Sequence, residues 1–109
     1  MTPIGALKER FDRDPVPLKW GGIASDLLRI STMAHAEKLD TDTFRNVLIE
    51  TKFFTEWLAP QVGLQEQETI LSLQRTLSDI SIAHPDPKDI EAKTHAWSEK
   101  VLAISGLAL

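Results

Sequence analysis

Residues 43–58 read TFRNVLIETKFFTEWL. One stripe of this stretch, Phe44, Val47, Leu48, Thr51, Phe54, Thr55 and Leu58, has the i, i+3, i+4, i+7 spacing of a helix face turned to a core. At about 100° per residue, Ile49, Phe53 and Trp57 fall on the opposite side of the same helix. A lone solvated helix face does not carry Ile, Phe and Trp in register. A helix that is apolar on two sides implies a bundle on one side and a second cover on the other.

The neighbouring segments supply the rest of that bundle. Upstream, Trp20, Ile23, Leu27, Ile30 and Ala34 predict a helix over about 19–38. Either it begins after Gly21-Gly22, or those glycines let a neighbouring backbone come close. Leu39-Asp40-Thr41-Asp42 breaks the chain. With Asp40 as N-cap, Leu39 and Phe44 form a hydrophobic staple. Downstream, Pro60 and Gly63 end the 43–58 helix. A further helix from about Gln65 follows, with Ile70, Leu73, Leu77 and Ile80 as its core stripe and Leu71 and Ile82 widening the apolar face. His84-Pro85-Asp86-Pro87 is the sharpest punctuation. Asp86 caps and Pro87 opens a last helix striped by Ile90, Thr94, Trp97, Val101 and Ile104, which Gly106 closes. Four helices joined by short connections predict an all-α fold, an up-down-up-down antiparallel four-helix bundle. Before it lies an extension over 1–18. Thr2-Pro3 starts a short helix carrying Ile4, Leu7 and Phe11. Asp12 to Leu18, with Pro15 and Pro17, reads as a Pro-rich strap. Residues 19–109 are the bundle, and the whole of 1–109 is read as one domain.

Composition narrows the function classes. The chain has 109 residues, 42% apolar and 26% charged, so it can build a core. With no cysteine it offers no disulfide and no thiolate chemistry. A net charge of −4 lacks the basic face a nucleic-acid binder needs. Lys8, Arg10, Arg13 and Lys19 are interrupted by Glu9, Asp12 and Asp14. The same charges occupy the place of a secretory apolar core, and the longest apolar run is too short to span a bilayer. A soluble, cytoplasmic protein without nucleic-acid or membrane partners is expected.

Few residues suggest chemistry. His95 stands between Glu91 and Glu99, but it lies far from the core direction and reads as a surface i, i+4 pair. No Glu-x-x-His occurs, so a di-metal bundle centre is not expected, and neither metal nor cofactor is anticipated. Glu50 and Glu56, six apart, do not stack as paired carboxylates. His84 reads as a C-terminal turn residue. The segment His35-Ala-Glu-Lys38 resembles the His-x-x-Lys of histidine phosphotransfer domains, where a small residue follows the lysine. Here Leu39 follows. Arg29 and His35 together resemble the Arg-x(4–6)-His spacing of HEPN-type nucleases, without the polar residue expected beside the histidine. These resemblances imply His35, with Lys38 or Arg29, as the catalytic candidates.

The leading expectation is a non-catalytic interaction or regulatory module. Burying Ile49, Phe53 and Trp57 is worth roughly 5–8 kcal/mol, comparable to a small domain's net stability. Three covers are possible: the chain's own Ile4, Leu7 and Phe11, a second copy in a homodimer, or a different protein.

Overall fold

The computed structural model describes residues 3–107, which form helices and short connections, with no strand among them. Helix α1 spans Pro3–Arg13, α2 Val16–His35, α3 Asp42–Leu58, α4 Leu64–Ala83 and α5 Pro87–Ser105. A single 3-10 turn, Ala59–Gln61, continues α3. The expected Thr2 cap and the Ala108-Leu109 end of the tail lie outside the described residues. The Cα radius of gyration is 13.4 Å, close to the roughly 13 Å of a packed chain this long.

The core stripes appear as read on three helices. The buried residues of α3 are Phe44, Val47, Leu48, Thr51, Phe54, Thr55 and Leu58. Those of α4 are Ile70, Leu73, Leu77 and Ile80. On α2, Trp20, Ile23, Leu27, Ile30 and Ala34 are all buried. The apolar side chains of these stripes, with Phe11, Ile90 and Val101, form one cluster. Two of the buried hydroxyls bond back into their own helices, Thr51 to the Val47 carbonyl at 2.7 Å and Thr94 to the Ile90 carbonyl at 2.6 Å, so neither is left unsatisfied.

Helix α2 packs most closely on α5 and then on α3. Small residues permit the first contact. Ser98 Oγ donates to the Ala24 carbonyl at 2.8 Å, and Ser31 Oγ donates to the Glu91 carbonyl at 3.0 Å. Residues late in α2 therefore meet residues early in α5. The same opposed order holds between α3 and α4, where Lys52 Nζ donates to Ser81 Oγ at 2.8 Å and Gln74 Nε2 to Thr55 Oγ1 at 3.2 Å. Between α4 and α5, Trp97 Nε1 donates to Thr76 Oγ1 at 3.2 Å.

Several expectations need correction. The Pro-rich strap over 12–18 does not exist, because α1 runs to Arg13 and α2 starts at Val16, inside the expected extension. Pro15 is the extended N-cap and Pro17 sits in the first turn of α2, where a proline's missing N–H costs nothing. Gly21 and Gly22 are thus inside α2. They face the side chains of Leu107 and Phe54 rather than a neighbouring backbone. The cap of α3 is Thr41, not Asp40: Thr41 Oγ1 accepts from the Phe44 N–H at 3.1 Å. Asp40 instead pairs with Arg45. Leu71 and Ile82 do not widen the core face of α4, being 48% and 80% exposed. At about 100° per residue they point away from the Ile70–Leu73–Leu77–Ile80 stripe. On α5, Ile104 is likewise exposed, and Ser98 and Ser105 take buried places.

The expected ends at His84, Asp86 and Gly106 are found. His84 closes α4 in the left-handed conformation, with φ 47°. Asp86 accepts from the Lys88 N–H at 2.9 Å, with Pro87 next in line. Gly106, with φ 74°, terminates α5.

Candidate functional site

The outer face of α3 is covered along part of its length, and the cover is α1. Phe11 is buried, stacked on Phe54 with ring centroids 4.7 Å apart, and its ring lies 5.7 Å from Trp57. Trp57 in turn stacks on Phe53 at 5.4 Å, and Lys8 Nζ stands 5.8 Å from the indole centroid. Such ring pairs and cation–π contacts add to the burial itself. Phe53, Trp57 and Leu7 end half-buried. Behind the rings, buried Lys19 Nζ donates to Gln61 Oε1 at 2.6 Å, and Gln61 Nε2 donates to the Trp57 carbonyl at 2.9 Å. This chain of bonds fixes the end of α3 against the start of α2.

The cover stops short of Ile49, two turns up α3, whose side chain is 48% exposed. Ile49 borders an open groove of about 530 Å³ between α3 and α4. Its apolar walls are Leu39, Phe44, Leu48 and Ile80, and Asp40, Arg45, Ser81 and His84 stand among them. Leu39 and Phe44 thus meet at this groove although the staple geometry differs. Ile4 of α1 is also exposed. Of the six residues expected at an interface, Phe11, Phe53 and Trp57 are brought together by ring contacts within one chain, and Leu7 packs on the same core. Ile49 and Ile4 remain open.

The polar candidates do not converge. His35 is exposed, and its Nδ1 lies 3.0 Å from Glu91 Oε2 on α5. Arg29 turns to the other side of α2, where its Nη1 is 3.4 Å from Asp26 Oδ1 and 4.0 Å from Glu50 Oε2 on α3. Lys38, just beyond the end of α2, is exposed. His95 pairs with Glu99 at 3.6 Å and not with Glu91, which His35 occupies. Among the described residues no group of three His, Asp or Glu side chains stands ready to hold a metal ion, and no helix is long and apolar enough to cross a membrane.

A buried acid, unlike the apolar stripe around it, escaped the sequence reading. Asp26 is only 4% exposed. Burial, reinforced by the neighbouring Glu50 carboxylate, pushes its carboxyl up to about 8, against the weaker opposing pull of Arg29. The signal was its phase: Asp26 stands three residues after Ile23 and one before Leu27, on the core side of α2. A search for apolar residues at that spacing passes over an acid standing among them.

Comparison of the chain with models of known families, with curated proteins and with solved structures finds no match. Its own residues therefore carry whatever functional reading is made.

Proposed function

We propose that this chain is an up-down-up-down four-helix bundle acting as a non-catalytic interaction module in the cytoplasm, self-associating through the part of the α3 outer face that α1 leaves open. The observation that carries this reading is Ile49, half exposed beside an apolar groove walled by Leu39, Phe44, Leu48 and Ile80. A two-fold pairing would let Ile49 of one copy enter the groove of the other, since both belong to one patch. Association costs on the order of 4–15 kcal/mol before any affinity appears, so a weak, concentration-dependent dimer is expected. Sedimentation velocity from micromolar to near-millimolar protein tests this. The native chain should shift toward dimer with concentration. Ile49→Glu should stay monomeric with an unchanged unfolding temperature. A native chain that is monomeric throughout removes the reading.

A second reading draws on the His35–Glu91 pair. A carboxylate on Nδ1 fixes the imidazole tautomer and leaves Nε2 free toward solvent, the arrangement a phosphoaccepting histidine needs. Incubation with a small-molecule phosphodonor, followed by mass spectrometry, should then give an acid-labile adduct that His35→Ala lacks. No adduct on the native chain ends this alternative.

A further inference from the structure

At the middle of the α2–α3 contact, three charged side chains leave an imbalance. Asp26 and Glu50 are both acids, and Arg29 is the one base paired with either of them. Arg29 Nη1 reaches Asp26 Oδ1 at 3.4 Å. The other oxygen, Oδ2, is the one buried side-chain polar atom among the described residues left without a hydrogen-bond partner. An ionised carboxylate accepts and cannot donate, so two ionised acids side by side satisfy neither. An orphaned buried oxygen on an anion is among the costliest groups a core can hold.

The set is one positive charge short, and a proton is the smallest cation that closes it. We propose that Asp26 and Glu50 share a single proton across the α2–α3 interface, so that this contact is a latch which loosens when the proton leaves. In the closed state Asp26 is a neutral acid and donates to the Glu50 carboxylate, while Arg29 neutralises Glu50. In the open state both acids are charged, and α2 and α3 repel at their point of contact. The proton departs to solvent beside Glu50, whose side chain is 28% exposed. The groups that set the balance are Glu50 from α3 and Arg29 from α2 itself. At this level α5 offers α2 the hydroxyl of Ser98, which bonds the Ala24 carbonyl. Its ionisable Glu91 is engaged with His35, about 13 Å further along α2. No charged group of α1 or α4 takes part in the Asp26 interactions.

The sign of the pH dependence follows. The unfolded Asp26 releases its proton near 3.8 and the folded one at about 8. Between those values the folded chain holds a proton that the unfolded chain lacks, so stability falls as pH rises through that window and levels off above it. A carbon-detected NMR titration of the side-chain carboxyls in the full chain tests the proposal, together with thermal unfolding across the same range. An Asp26 midpoint at about 8, with an unfolding temperature that declines toward it, is expected. Asp26→Asn should abolish the decline and unfold later than the native chain at mildly alkaline pH. If that variant does not fold, Arg29→Met and Glu50→Gln remain: the first should raise the Asp26 midpoint and the second lower it. An Asp26 midpoint in the ordinary carboxylate range, or an unfolding temperature that does not decline across the window, overturns the latch. A midpoint that moves when magnesium or calcium is added would assign the position to a metal ion instead.

Discussion

Phe11 shows how much one side chain can decide. It is the buried member of an otherwise amphipathic, largely charged helix, and it touches both Phe54 and Trp57. Replacing it with alanine removes those ring contacts and opens a cavity where α1 meets α3. Phe11→Ala should cost about 3–4 kcal/mol, read by denaturant unfolding, and should red-shift the emission of Trp57 as the indole meets water. A loss below about 1 kcal/mol would mean that α1 is held elsewhere. Asp26 teaches the complementary lesson at the same scale. The helix stripes of α2, α3 and α4 could be read from apolar spacing alone, because burial of Leu, Ile and Phe is what places a helix. A buried acid shows only its phase among the apolar residues, not the reason it is there. Its role depends on Glu50, a partner on another helix, and single-helix periodicity does not report that pairing.

At the scale of elements, the misread boundaries share a cause. Pro15 and Pro17 read from sequence as breakers, yet both stand where α2 has backbone N–H groups without internal partners, so the helix starts there rather than after them. The cap at Thr41 is a matter of one residue, and the exposed placement of Leu71 and Ile82 one of phase, since both stand nearly half a turn from the α4 core stripe. Two glycines make the point testable. Gly22 lies within α2, and an added Cβ would rest 3.8 Å from the Phe54 ring, an ordinary contact. Gly22→Ala should therefore raise stability by about 0.5–1 kcal/mol through helix propensity. Gly106 has open space around it but a positive φ of 74°. Gly106→Ala should lower stability by about 1 kcal/mol despite the room. Paired urea denaturation curves would show the opposite signs. The same sign at both sites would undo this account of where α2 and α5 begin and end.

For the whole molecule, the decisive observation in the sequence is that α3 has two apolar sides, and α1 covers only part of the second. Helix α1 takes the Trp57 end and leaves the Ile49 end bare. That division was not legible beforehand, because spacing shows that a face needs covering but not how far a neighbouring helix reaches. The turn between α1 and α2 sharpens the consequence. Only Asp14 and Pro15 separate the two helices, so α1 is presented to its seat at an effective local concentration in the millimolar range or above. A foreign helix with a similar apolar stripe would have to outbid a tethered rival that never diffuses away. Added in solution, such a peptide would find the Trp57 seat taken, and a single cut between residues 13 and 16 would turn the same seat into an open receptor.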